Sequence, residues 1–406
     1  MEIVTTWSTE KDTVGAVRTA YGQLESQLGK TPDLVIAYSS VEHDGMVLMD
    51  TFLATAPAVP LQGGTTCLGV MTAEGFHSDA GVGLGLFGIS DPHGDYGVGA
   101  AEIGEDARAA GAAAIQRAMG NCDRPGEPPD LVWLSGVPGF EEEVLLGIQS
   151  VIGPAVPIAG GSTADNTVEG KWQQFANGEV HRNAVVVTAM YPSVATHLAF
   201  HSGFTPTPTS GVVTRAEGRT IYEIDGRPAA EVYNEWTGGA INDFLSGGNV
   251  LSSTTLYPIG RFVGAVGDGP YYRLSHPDAV TPEGGLTLFT NVETGEEIVL
   301  MAGTRGSLVT RAGRVAKSAL DAGRITADQI SGALFVYCAG CLLTVQDKMD
   351  EVATGVRDAL GGKPFIGTFT FGEQGCFVGA GNHHGNLMIS VAVFETIATQ
   401  KTRMGG

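Results

Sequence analysis

A mixed α/β architecture, with mixed sheets covered by helices and built from a repeated β-α-β-turn-β-β unit, is predicted by three observations. Short, wholly apolar runs recur at Leu34–Tyr38, Leu131–Leu134 and Leu334–Tyr337, and such runs suit strands covered on both faces. Amphipathic segments follow, clearest at Glu141–Val151 and Val345–Leu360, where apolar residues fall at helical spacing. A second strand then reaches a turn bearing glycine and hydroxyl residues. Its three versions are Pro60-Leu-Gln-Gly-Gly-Thr-Thr66, Pro157-Ile-Ala-Gly-Gly-Ser-Thr163 and Pro364-Phe-Ile-Gly-Thr-Phe-Thr370.

Taken in order, each apolar run ends at a small nucleophile-type residue: Ser39 and Ser40, Ser135, and Cys338. The first two turns are nearly identical, and the third keeps Gly367 and Thr368. A β-rich tail closes each unit, over 80–89, 173–191 and 375–394. Asn177-Gly178 marks a hairpin turn, and Asn386 opens the last apolar strand. Self-similarity of this kind is the signature of a repeat architecture. Between the second and third copies lies a different region. Thr205-Pro-Thr-Pro-Thr-Ser210 reads as a linker or edge segment, Val212–Ile224 as a hairpin and Pro228–Thr237 as a short helix. A chain of 406 residues exceeds one typical core. Two domains are therefore expected, 1–210 with two repeats and 211–406 with the hairpin–helix insertion and the third.

Composition narrows the function classes. Hydrophobic residues reach 43% and charged residues 17%, a globular balance far from that of disorder. The formal charge is −21, with 44 acids against 23 bases and no basic run. Binding a phosphate backbone requires clustered Lys and Arg, so nucleic acid is not an expected partner, and anionic membrane surfaces are disfavoured for the same reason. No signal-peptide pattern is visible in residues 1–20, and the longest uncharged apolar stretch, 332–345, is too short to span a bilayer. Five widely spaced cysteines do not form a secreted disulfide framework. A cytoplasmic location is expected.

Several segments together resemble the FIST family of sensory domains. The FIST N pattern is matched by Gly160-Gly161-Ser162 through Asn166, by Trp172–Phe175 with Gly178, and by Asn183–Val187. The FIST C pattern is matched by Ile221–Glu231 and again by Gly367 to Gly372-Glu373. The resemblance implies a small-ligand-binding sensory protein of intracellular signal transduction. Amino acids are among the proposed ligands, and some members resemble haem-binding nitric oxide sensors. Such proteins pass their state to a kinase or a cyclic-nucleotide enzyme. With no output domain visible here, a separate partner is expected to take that role. Where many relatives have Cys-x-Gly-Arg, this chain has Cys338-Ala-Gly-Cys341, which puts an anion-binding role of that corner in doubt.

The candidate ligand-binding residues follow from these patterns. Gly63, Gly64 and Thr65, with Gly160, Gly161, Ser162, Thr163 and Asn166, offer backbone N–H groups and hydroxyls at strand ends, where ligands of α/β sheets sit; close strand packing is the competing explanation for the glycines. No P-loop ending and no G-x-G-x-x-G before a helix is present. Cys338 and Cys341 lie between a strand and a helix, where a thiol gains thiolate character. An enzyme of thiol or acyl chemistry centred on Cys338 is the alternative function. Gly372, Glu373, Gln374, Cys376 and His383 flank a hairpin, with Glu373 where the family match is closest. No second C-x-x-C supports structural zinc, no Gly-x-Ser-x-Gly marks a hydrolase, and no motif singles out a haem ligand.

Overall fold

The computed structural model of the chain describes residues 1–266 and 269–396. The first unit runs β1 (Glu2–Ser8), α1 (Thr13–Leu28), β2 (Leu34–Ser39), α2 (Gly45–Thr55), β3 (Leu61–Thr65), β4 (Val70–Thr72), β5 (Gly75–His77) and β6 (Leu84–Ser90). The second repeats it: β7 (Asp95–Glu102), α3 (Ala107–Asn121), β8 (Leu131–Gly136), α4 (Glu141–Ile152), β9 (Ile158–Ser162), β10 (Gln174–Ala176), β11 (Glu179–His181) and β12 (Ala184–Tyr191). The third opens with β13 (Thr196–Ser202) and is interrupted by an insertion. That insertion comprises β14 (Thr205–Glu217), β15 (Thr220–Ile224), β16 (Arg227–Pro228), α5 (Ala229–Trp236), β17 (Gly248–Asn249), α6 (Leu251–Thr254), β18 (Ile259–Val266), β19 (Gly269–Ser275), β20 (Pro277–Val280), β21 (Leu286–Leu288) and β22 (Glu297–Ala302). The third unit then resumes with α7 (Arg305–Gly323), β23 (Ile330–Cys338), α8 (Ala339–Thr344), α9 (Met349–Ala359), β24 (Phe365–Thr370), β25 (Gly372–Phe377), β26 (Gly381–Gly385) and β27 (Met388–Glu395).

The mixed α/β class is as the sequence predicts, and in the structure each unit begins one strand and one helix earlier than the apolar runs reveal. Local chemistry sets these boundaries. Asp12, Asp44 and Asp106 accept backbone N–H groups at the starts of α1, α2 and α3, and Gly29 ends α1 in the left-handed conformation. Thr304 and Ser307 form a reciprocal capping box on α7. The segment expected as one helix from 345 to 360 instead begins with a short 3₁₀ turn, Gln346–Lys348, before α9.

The three six-stranded sheets share one strand order: β1-β6-β2-β3-β10-β11, β7-β12-β8-β9-β25-β26 and β13-β27-β23-β24-β4-β5. Two adjacent strands run parallel at the centre of each, β2 with β3, β8 with β9 and β23 with β24. The outer hairpin is never the unit's own. The first unit lends β4–β5 to the third, the second lends β10–β11 to the first, and the third lends β25–β26 to the second. Three matching backbone bonds close the ring. Cys67 N–H donates to Phe369 O, Ala164 N–H to Thr65 O, and Phe371 N–H to Ser162 O, each at 3.0 Å.

Alternate residues of the central strands face inward and outward. Leu34, Ile36, Leu131, Trp133, Leu334 and Val336 share one core between the three sheets. Their neighbours pack outward, Val35 and Ala37 under α1 and α2, Val132 and Leu134 under α3 and α4, and Phe335 under α7 and α9. Both faces are buried, which is why these strands read as unbroken apolar runs. The insertion forms a separate nine-stranded sheet around a core that includes Val213, Ile221, Tyr233 and Ile298. The expected boundary at 210/211 falls inside β14. Among the described residues no helix is long and apolar enough to cross a membrane.

Candidate functional site

The insertion folds back over the seam between the second and third units and encloses a cavity of about 250 Å³. The second unit supplies Pro138, Gly139 and Glu141 from the β8–α4 turn and Trp172 from the loop before β10. The third supplies Cys338, Leu343, Thr370, Phe371 and Asn386, and the insertion closes the cavity with Arg219, Leu251, His276 and Phe289. Trp172 and Phe371 meet edge to face with ring centroids 5.9 Å apart, a favourable aromatic geometry. The result is a largely apolar chamber with a few polar groups, the usual make-up of a small-molecule site.

Three of those groups set its chemistry. Asn386 is 2% exposed; its Oδ1 accepts the backbone N–H of His276 at 3.3 Å, while its Nδ2 has no hydrogen-bond partner among the described residues. The oxygen is assigned by that donor, so the amide nitrogen is the free group. His276 is fully desolvated, and burial lowers its pKa to about 4, while its Nε2 faces the Leu251 carbonyl at 3.1 Å. Burial also pushes the Cys338 thiol well up, so it stays protonated at neutral pH.

Two residues of the wall, Glu141 and Arg219, belong to a connected polar network. Arg219 Nη2 donates to Glu141 Oε2 and Glu142 Oε2, both at 2.7 Å. Glu141 also accepts from Ser162 Oγ at 2.8 Å and from Gly139 N–H at 3.0 Å. Burial works against its charge, but the His384 imidazole and the Arg219 guanidinium prevail and hold its pKa at about 2. Gln374 Nε2 lies 3.2 Å from His384 Nδ1 and 3.3 Å from Ser162 Oγ. Glu141, Glu142 and His384 place ligand atoms within 4.8 Å of one another, close enough for a metal ion, yet Arg219 already supplies the compensating cation there.

Many of the residues singled out from the sequence converge on this region, in distinct roles. Gly63 and Gly160 sit at equivalent positions in β3 and β9, where a Cβ would overlap the carbonyl oxygens of Ala37 and Leu134. A side chain on Gly64 or Gly161 would collide with Thr163 or Thr370. These glycines are close-approach positions inside buried strands, and their loops lie in the ring closure. Thr65 bonds the Gln173 backbone, and Thr163 accepts from Gln174 Nε2 at 2.7 Å. Gly372 leaves room for the His384 ring. Glu373 lies behind Thr370, hydrogen-bonded to Thr370 Oγ1 and accepting from Met388 N–H, both at 2.9 Å.

Cys341 is buried behind Cys338 beside Arg311; the hydrogen bond from Cys338 and the Arg311 charge overcome burial and lower its pKa. No imidazole or carboxylate among the described residues hydrogen-bonds Cys338. Asn166 lies apart, joining Leu68, Gly81 and Glu42 of the first unit. Cys376 lines a different groove beside Phe377, and His383 faces the Ala380 carbonyl at 3.0 Å. On the cavity wall the side chains of axial-ligand type are His276, whose Nε2 is turned to the Leu251 carbonyl, and Cys338, whose thiol burial keeps protonated, so this wall does not fit haem.

Sequence reasoning missed Glu141, Arg219, His276, Phe289 and Asn386 as site residues. A strand–helix turn, an inserted sheet and a late loop bring them together, and no local motif joins them. Glu141 carried the strongest available signal, as the first of three consecutive acids opening a helix.

The fold is a ring of three units whose inserted sheet roofs a largely apolar cavity. The chain belongs to the FIST family: residues 33–227 match the FIST N domain and residues 229–376 the FIST C domain. FIST domains are sensory domains of signalling proteins that bind small ligands. Over 80 residues the chain is 36% identical to the uncharacterized protein MJ1623 of Methanocaldococcus jannaschii, a match spanning 20% of this chain and 16% of that relative's length. Among solved structures it is similar to the cyanuric acid hydrolase of A. caulinodans, at 10% identity and a TM-score of 0.35 over 97% of this chain and 100% of that one. A second cyanuric acid hydrolase structure aligns at 9% identity and the same TM-score, over 97% and 99%.

Proposed function

We propose that this chain is a small-ligand sensor whose ligand occupies the chamber between the second unit, the third unit and the insertion. The observation that carries this is Asn386, a buried amide donor without a partner among the described residues, on a largely apolar wall. An unmade hydrogen bond of this kind costs about 1–3 kcal/mol, which a ligand acceptor recovers. The ligand is therefore a small molecule with an apolar or aromatic body, to lie between Trp172, Phe289 and Phe371, and a carbonyl or carboxylate oxygen to accept from Asn386. Amino acids with apolar side chains fit this description.

Arg219 belongs to the insertion and its acid partners to the second unit, so occupancy bears on how firmly the roof is held. The bound state would be passed to a separate signalling partner, such as a kinase or a cyclic-nucleotide enzyme. A thermal-shift panel of amino acids and short carboxylic acids tests the reading. At least one apolar member should raise Tm in the wild type and fail to do so in Phe371→Ala. Silence across the panel, or a shift that survives Phe371→Ala unchanged, would overturn it.

A further inference from the structure

A second cleft, of about 940 Å³, lies between the start of α2 and the borrowed β10–β11 hairpin, on the first unit. We propose that it binds a linear organic polycation of the di- or polyamine class. His43 lines it and is 3% exposed, yet its Nε2 has no hydrogen-bond partner among the described residues. Gln173 Oε1 on the same wall is also buried and unpartnered. It sits where a Cβ on Gly45 would be, so the glycine at the start of α2 makes room for it. Two orphaned groups on one wall are costly unless something completes them.

The completing group is a donor. Gln173 Oε1 can only accept. His43 Nδ1 lies 3.3 Å from Thr13 Oγ1, and in the tautomer that donates to Thr13, Nε2 offers a lone pair. Burial lowers the His43 pKa, which keeps the ring neutral and able to accept. Glu42, Asp50, Glu102 and Glu179 ring the mouth with Arg182 and with His181, whose ring nitrogens lie 2.6 Å from Glu102 and 3.5 Å from Glu179. Carboxylates around neutral acceptors match an ammonium, which has three donors and no acceptor.

Spacing separates an amine from a metal. Among the described residues, the trio of His, Cys, Asp or Glu ligand atoms within 4.8 Å of one another is Glu141, Glu142 and His384, outside this cleft. No three such ligand atoms among the described residues of the cleft come within that distance of one another. A chain with ammonium groups at intervals can reach His43 and Gln173 at one end and the outer carboxylates at the other. Such a ligand would also pin the second unit's hairpin to the first unit.

Isothermal titration with spermidine in 150 mM salt tests the site (about the physiological ionic strength). The wild type should bind with saturable one-site heat. Glu42→Gln with Glu179→Gln should weaken binding at least tenfold, and Asp50→Asn alone severalfold. Glu127→Gln with Asp130→Asn, a remote acidic pair, should leave it unchanged, as should Asn386→Leu in the other chamber. No saturable heat in the wild type would overturn the proposal. So would equal weakening by the cleft pair and the remote pair, which would mean diffuse attraction to an acidic protein.

Discussion

Glu373 and Gln174 stand at the same place in two units, opposite the equivalent glycines Gly161 and Gly64. Gln174 donates to Thr163 Oγ1 and accepts from Ala184 N–H; Glu373 meets Thr370 Oγ1 and accepts from Met388 N–H. Burial, with the neighbouring Cys338 thiol adding to it, pushes the Glu373 pKa well above the ordinary carboxylate range, so the acid is neutral and mimics the amide. A raised folded-state pKa gives stability that is present below the unfolded pKa and lost as pH rises through the folded one. Glu373→Gln should therefore fold normally, melt at or above the wild-type temperature near pH 8, and show a flatter Tm–pH curve. Glu141 has the opposite sign. Its pKa of about 2 gives stability that is present above the unfolded value and lost as pH falls toward 2. Denaturant unfolding of Glu141→Gln at pH 7 should show a loss of about 3 kcal/mol, because Arg219 then loses its buried partner.

The repeated strands were legible because sheet packing buries both of their faces, leaving Leu34–Tyr38 or Leu334–Tyr337 without a polar residue to blur the pattern. The Asn177-Gly178 turn was legible because both residues adopt positive φ, at 50° and 89°. Of the insertion only the start was legible, the β14–β15 hairpin and α5 lying where Val212–Ile224 and Pro228–Thr237 predict them; the strands after α5 were not, since several are only two to four residues long and β18 carries a register shift. Nor could any local signal say which sheet edge a hairpin joins, because the turn fixes the pairing within the hairpin alone. The glycines of the turns are a matter of packing. Gly63→Ala and Gly160→Ala should each cost about 3 kcal/mol or more in chemical denaturation, since the added methyl meets backbone carbonyls that cannot move aside. Gly136→Ala, whose Cβ would have its nearest neighbour at 3.5 Å, should be nearly neutral.

The exchange of hairpins ties the molecule together. A fragment of residues 1–210 keeps β9 but loses the β25–β26 hairpin that covers its edge, and keeps β4–β5 but loses β24. Exposed strand edges of that kind pair non-specifically. Scanning calorimetry should accordingly show one cooperative transition for the full chain and none for the fragment. A sharp transition in the fragment would instead favour the division at 210/211 read from the sequence. The chamber is legible only at this scale. Cys338, Thr370 and Trp172 stand near motifs, but Arg219, His276 and Asn386 reach it through the insertion and the ring closure.

The central claim is that this chamber holds a ligand through Asn386, and the most direct measurement is titration calorimetry of the best panel ligand against wild type and Asn386→Leu. Leucine keeps the shape and removes the donor, so affinity should fall about tenfold; it also removes the acceptor of the His276 N–H, so the melting temperature without ligand should fall by a few degrees at most. Equal affinities in the two proteins would contradict the account.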